Sequence, residues 1–227
     1  PPATWSGGTM YATPATWSGG TMYVSLVNVF RVEINWIESK NTDWKFISKL
    51  EIHKGHAPNP LIQDTVGNNK PRFYKYGESI GNCGAIAQTW EDPNVKHPEL
   101  GCFGDDDPID VVEIGSSTLE MGSVKEVKPL GVLAMIDDGE LDWKVVAVAV
   151  DDPLAKEYND IDDVPAAVKD GIREWFRWDK TPDDKPLNAF GFDEKYLDVA
   201  ATKEVIEETN AAWKKLKEDG SEKLWLN

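Results

Sequence analysis

Cysteine is almost missing from this chain: Cys83 and Cys102 are the only two in 227 residues, and they form no CxxC pair. That argues against a disulfide framework and for a reducing compartment, although pairing of these two is not excluded. Histidine is nearly as scarce, and His53, His56 and His97 show no spacing that suggests a zinc site. No apolar run approaches the ~20 residues that a membrane span needs, the longest being LGVLAMI (130–136) and VVAVAV (145–150). Basic charge is short as well. With 24 Lys and Arg against 40 Asp and Glu, the net charge is −16, which would repel nucleic-acid backbones and anionic membranes. An anionic substrate would have to be met by bound cations or by a few well-placed Lys and Arg.

What remains is ordinary for a globular protein, with 41% hydrophobic and 28% charged residues and length enough for one large domain. The N-terminus stands apart: PATWSGGTMY occurs at 2–11 and again at 14–23. Two copies are too few for a solenoid, and their Gly, Pro, Ser and Thr content suits a hairpin, a linker or disorder. Residues 1–23 are therefore set apart from a single domain over 24–227. The chain opens without Met and without a charged-then-apolar signal, so any targeting peptide is expected to have been removed. VSLVNVFRVEI (24–34) and WKFISKLEI (44–52) read as strands. DVVEIG, SVKEVK, LGVLAMI and WKVVAVAV follow at hairpin distances, with DDGE (137–140) as the clearest turn. Strands so spaced, without helices between them, predict an antiparallel sheet or small barrel. Val164, Val168, Ile172 and Trp175 then recur at helical spacing behind Asp162, Asp163 and Pro165, and Val199, Ile206, Trp213 and Leu216 form a second stripe ending near Gly220. The class is α+β.

Charged residues use the two-residue period of strands in three places. Lys49 and Glu51 share a face in KLEI, Asp105 and Asp107 in DDDPID, and Asp142 and Lys144 in DDGELDWK. If these segments are neighbours, one patch collects Glu51, Asp105, Asp107, Asp110, Asp137 and Asp142, flanked by Lys49 and Lys144. Carboxylates that close raise one another's pKa, and divalent cations resolve the conflict. Oxygen donors without His or Cys select hard ions such as Mg2+, Mn2+ or Ca2+. An EF-hand does not fit, since Asp110 stands where its glycine is needed and Ile109 where an oxygen ligand belongs. A bland acidic surface turn is the competing reading.

GDDDPIDVVEIG (104–115) resembles the GDxDPxDxxEIG signature of family I soluble inorganic pyrophosphatases. QTWEDPNVKHPE (88–99), MIDDGELDWKVVAV (135–148), NDIDDV (159–164) and EWFRWDKTPDDKP (174–186) are similar, in the same order, to the eukaryotic branch, closest to plant and algal plastid forms. The likeness runs from roughly residue 49 to 217. It implies a small closed, five-stranded OB-like antiparallel barrel with flanking C-terminal helices and extra N-terminal strands. It implies Mg-dependent hydrolysis of pyrophosphate by a metal-activated water, with roughly two to four Mg2+ and Mn2+ as a substitute. Asp105, Asp110 and Asp142 match ligands of the first metals, with Asp110 shared between two; Asp137 and Glu51 match ligands of metals that arrive with substrate. Asp107 matches the group that helps deprotonate water, and Lys49, Arg72, Lys144 and Lys180 match the cations that hold the phosphoryl groups. Glu33 matches a further acidic position more loosely. The partners implied are pyrophosphate, with no nucleic acid and no membrane, in a monomer or homodimer that is soluble and intracellular, in plastid stroma or cytoplasm. Where the family carries tyrosines, this chain has Ser79, Cys83 and Asp179, with Tyr74 and Tyr76 as the nearest alternative hydroxyls. Two other readings stay open: a non-catalytic metal- or phosphate-binding relative, and an acidic calcium-binding module.

Overall fold

The computed structural model describes residues 17–18, 21–22, 26–30, 50–52, 61–63, 65–77, 80–86, 88–119 and 125–219; of those before residue 65 only the backbone is described. The main sheet consists of β1 (Leu26–Phe30), β2 (Asn82–Ile86), β3 (Phe103–Gly104), β4 (Asp110–Glu113), β5 (Val127–Asp137), β6 (Glu140–Ala149) and β7 (Ala189–Phe190). Two helices, α1 (Ala166–Trp178) and α2 (Val199–Glu218), follow the long strands. The strand order is β7-β5-β6-β4-β2-β1, with β3 pairing to β6 beside β4. Within the second copy of the decamer, Trp17–Ser18 pairs antiparallel with Thr21–Met22.

The α+β class stands as expected, and the sheet differs from a purely antiparallel one in its pairing. β3 and β4 both run parallel to β6. The cause is the tight turn at Asp138 and Gly139, whose φ of 50° and 94° suit a two-residue hairpin that needs left-handed backbone. It folds β6 straight back between β5 and β4, so that β6 runs antiparallel to the one and parallel to the other. Among the described residues six strands follow one another along the hydrogen-bonded path, with β3 joining β6 off it, an arrangement compatible with the expected OB-like barrel. Of SVKEVK, Ser123 and Val124 lie outside the described residues, and Val127 opens β5, which continues through LGVLAMI across an irregularity between Pro129 and Gly131. A proline is tolerated in such a strand where the ladder is already broken.

β6 is buried on both faces, which is why it reads as an almost unbroken apolar run. Side chains alternate. Leu141, Trp143, Val145 and Ala147 pack with Val205 and Ile206 of α2, whereas Val146 and Val148 pack with Ile172, Trp175 and Phe176 of α1. Asp142 and Lys144 continue the α1 face. The first predicted helical stripe is α1 in substance, except that Val164 closes a separate turn, Ile161–Asp163, capped by Asp160. In the second stripe Ile206 and Leu216 are buried, Asp198 caps the N-terminus, and Trp213 and Leu216 close on Trp90.

Gly104 ends β3 with no room for a side chain, because a Cβ there would lie 2.4 Å from the Glu91 carbonyl carbon and 2.5 Å from its oxygen. Backbone cannot retreat as a flexible side chain can. Gly104→Ala is therefore expected to cost about 1–3 kcal/mol, the usual penalty for overpacking. A thermal melt indistinguishable from the parent protein would contradict this close approach.

Candidate metal and phosphate site

β3 and β4 lie along the same edge of β6, Gly104 opposite Leu141 and Asp110 opposite Lys144. Between them only Asp142 and Trp143 are left to face the stretch 105–109, so the chain must bulge away from the ladder. The bulge is where the aspartates crowd. Asp106 takes left-handed backbone, φ 70°, and the Asp107 N–H donates to Asp105 Oδ1 at 3.0 Å. Pro108 then leads into β4.

The Trp143 N–H, facing this gap, donates to Glu91 Oε1 at 2.8 Å. Glu91 is held by the loop it serves: its N–H donates to Asp107 O at 2.9 Å, and its carbonyl accepts from Asp106 N at 3.0 Å. The neighbouring QTW residues are pinned from both sides. Ile109 N donates to Thr89 Oγ1 at 3.0 Å, Trp90 Nε1 to Asp106 Oδ1 at 2.9 Å, and Asn210 Nδ2 of α2 to Gln88 O at 2.7 Å. A helix far along the chain thus sets the position of the acidic loop.

On the α1 face, three adjacent strands present charge together. Asp110 of β4 is opposite Lys144, Met135 is opposite Asp142, and Asp137 closes β5 opposite Glu140. Lys144 is 2% exposed; its Nζ lies 2.5 Å from Asp110 Oδ2, also bonds both oxygens of Asp142, and sits 5.2 Å from the Phe176 ring centroid. Burial works against the Lys144 charge, but Asp110 and Asp142 outweigh it and hold its pKa well above the usual lysine value. Lys180 bonds Asp137, and Arg72 Nη2 lies 3.6 Å from Asp183 Oδ2, on the turn that Lys180 begins.

Carboxylate oxygens of Glu91, Asp105 and Asp142 all lie within 4.8 Å of one another. Burial, then Asp142 and Asp107, pushes Asp105 up to about 8. Burial likewise raises Asp142 to about 6 against the pull of Lys144, and Glu91 is raised by burial and by both neighbours. Glu91 Oε2 is buried without a hydrogen-bond partner. An orphaned carboxylate oxygen beside two more, with no sulfur or nitrogen donor, fits a hard divalent cation.

The comparisons agree with this chemistry. The family model described as inorganic pyrophosphatase matches residues 46–214, most of the chain. The chain belongs to the inorganic pyrophosphatase family. It is 49% identical to the inorganic pyrophosphatase of Kluyveromyces lactis over 176 residues, covering 74% of this chain and 61% of that one. It is 48% identical to the chloroplastic soluble inorganic pyrophosphatase 1 of Chlamydomonas reinhardtii over 174 residues, covering 75% and 61%. Its fold resembles the N-terminally truncated vacuolar soluble pyrophosphatase of Trypanosoma cruzi, solved in complex with PPi, with a TM-score of 0.77 and 34% identity over 94% of this chain and 76% of that one. The chain spans about 61% of the length of the curated relatives.

Within this family frame, the residues expected from sequence fall into three groups. Asp105, Asp107, Asp110, Asp142 and Lys144 come together around the bulge, with Asp137 and Lys180 on the same face. Arg72 joins through the 181–183 turn. Of Glu51 only the backbone is described, in Leu50–Ile52 paired with Leu61–Gln63, while Lys49, Glu33 and Ser79 lie outside the described residues. Cys83 sits half-buried in β2 opposite Val112, and the Asp179 carboxylate lies 3.4 Å from Nδ2 of the buried Asn188. Tyr74 packs on Trp175. Glu91 was missed by the sequence reading. QTWEDPNVKHPE drew notice only as part of a resemblance, because a single glutamate shows no strand period.

The raised carboxyls set a pH dependence. Unfolded, Asp105 titrates near ~3.9; folded, near about 8. Between those values the native state holds more protons, so stability falls as pH rises through that window. With chelator present, the melting temperature should fall between pH 5.5 and 8.5, and Asp105→Asn should flatten that slope. Parallel slopes for the two proteins would show that Asp105 does not carry the burden.

Proposed function

We propose that this chain hydrolyses inorganic pyrophosphate to two orthophosphates, as a divalent-metal-dependent diphosphatase. The observation that carries the reading is the convergence of Asp110, Asp142 and Lys144 on one sheet face with the Glu91–Asp105–Asp142 oxygens beside them. Membership of the pyrophosphatase family supports it.

In this reading Asp105, Asp110 and Asp142, with Glu91 beside them, hold the first ions, and Asp137 and Glu51 hold those that arrive with substrate. Bound there, roughly two to four Mg2+, with Mn2+ as substitute, would neutralise phosphate oxygens and acidify water enough to make it nucleophilic near neutral pH. Asp107 accepts or orients the proton that leaves the attacking water. The bond from one phosphorus to the bridging oxygen breaks, and the electron pair stays with the departing phosphate. Lys49, Arg72, Lys144 and Lys180 stabilise that charge. Lys144 suits the task because burial strengthens its field, and the flanking carboxylates keep it protonated. The partner in this reading is pyrophosphate; no described helix is long and apolar enough to cross a membrane. Likeness to the chloroplastic relative supports the plastid stroma, with the cytoplasm as the alternative.

Release of orthophosphate from pyrophosphate with Mg2+ tests the reading directly. No release, with metal still bound, would favour the non-catalytic relative, and activation rather than inhibition by Ca2+ would favour a calcium module. Asp107→Asn should lower turnover by about 10²–10⁴-fold, the usual worth of a general base, and leave metal affinity largely intact. An unchanged rate would remove Asp107 from that role. Asp110→Asn should abolish metal-dependent activation, and ordinary Mg2+ dependence in that variant would contradict the shared-ligand assignment.

A further inference from the structure

The turn Thr181–Asp183 is tied to two distant parts of the site at once. Lys180 begins it and reaches Asp137 at the end of β5. Asp183 ends it and meets Arg72 and Lys75, both on the segment after the short strand Lys70–Pro71. The turn itself is stiff. Pro182 fixes one φ, Asp183 N donates to Lys180 O at 3.0 Å, and Asp184 closes it in left-handed backbone at φ 60° with its N–H on Thr181 O at 3.1 Å. The Asp183 carboxylate is therefore placed by backbone and not by a floppy stem.

We propose that Asp183 is a positioning residue that fixes the Arg72 guanidinium toward the phosphate-binding side of the site, aligned with Lys180. The inference rests on the pyrophosphatase reading above. Arg72 stands on a loop, and a long cationic side chain there loses much rotamer freedom when it grips a ligand. Ordering that side chain before substrate arrives removes the loss from the binding step. Asp183 is suited to this because it is about a quarter exposed, 27%, like Arg72 at 25%, so the pair is neither dry enough to be locked nor wet enough to be screened away. Lys75, at 52% exposure, takes the other carboxylate oxygen and keeps Asp183 charged; its carboxyl is held below the usual range by Lys75 first and Arg72 after it. Competition is the opposite possibility, with Asp183 drawing Arg72 away from phosphate. The two differ in sign.

The test uses the full chain with Mg2+ and compares Asp183→Asn, Asp183→Glu, Arg72→Ala and the Asp183→Asn/Arg72→Ala pair. Steady-state hydrolysis of pyrophosphate and calorimetric titration with inorganic phosphate are the readouts. Positioning predicts that Asp183→Asn lowers kcat/KM about two- to fivefold, the usual worth of a partly exposed ion pair, with KM raised. Inorganic phosphate should weaken to a similar degree, Asp183→Glu should recover most of the loss, and Asp183→Asn should add nothing once Arg72 is alanine. A KM that is unchanged or lower, an undiminished effect in the Arg72→Ala background, or a lowered melting temperature with kinetics and phosphate binding intact would each overturn the assignment. A parent protein that releases no phosphate from pyrophosphate defeats the functional reading instead, and the phosphate titration then still decides whether Asp183 acts through Arg72.

Discussion

Burying several negative charges on one face of a sheet is the constraint around which this molecule is arranged. Asp105, Asp142 and Glu91 crowd within 4.8 Å, and each is pushed away from ionisation by burial and by the others. A fold carries such a group by keeping carboxyls protonated, or, once they ionise, by building in or recruiting opposite charge. Lys144 supplies one built-in charge, from the middle of the strand that also carries Asp142 and directly opposite Asp110. Divalent ions are the natural remainder, and a phosphate-rich substrate is the natural ligand for those ions. Structure and proposed chemistry thus share one electrostatic origin.

The sheet sets up this crowding through a mismatch of length. β3 and β4 share an edge of β6, and the chain between them is longer than the strand positions it spans. The surplus becomes the acidic bulge, and the Trp143 N–H beside it goes to Glu91. Glu91 in turn hangs from the segment that α2 holds through Asn210, with Trp90 packed on Trp213 and Leu216. The C-terminal helix is therefore part of what aims the carboxylates, although none of its residues enters the site. Face alternation does the complementary work. Odd positions of β6 from Leu141 to Ala147 anchor the core on α2, and even positions carry charge at one end and core on α1 at the other.

Two further positive groups enter from a loop and a turn. Lys180 and Arg72 reach the site from segments that have little regular structure, each fixed by a carboxylate. Asp179, next to Lys180 in sequence, accepts from the Asn188 side-chain amide, so its negative charge is engaged there.

Much of this was legible in the sequence because strand periodicity is local. Asp142 with Lys144, the DDGE turn and the two helical stripes all follow from spacing of two or of three to four residues, and the aspartates of DDDPID announced themselves by density alone. Membership of the pyrophosphatase family followed from the same motif. Three things were not legible. Parallel pairing of β4 with β6 depends on which edge the hairpin returns to, which no single segment encodes. Glu91 depends on an unpaired N–H in another strand, and the tie between Asp183 and Arg72 joins side chains more than a hundred positions apart. By itself, the sequence determined which residues could bear charge on a common face, since backbone geometry makes alternation automatic. Only the tertiary structure decided which of those faces meet, because that choice is made by burying apolar surface on the far side of each strand.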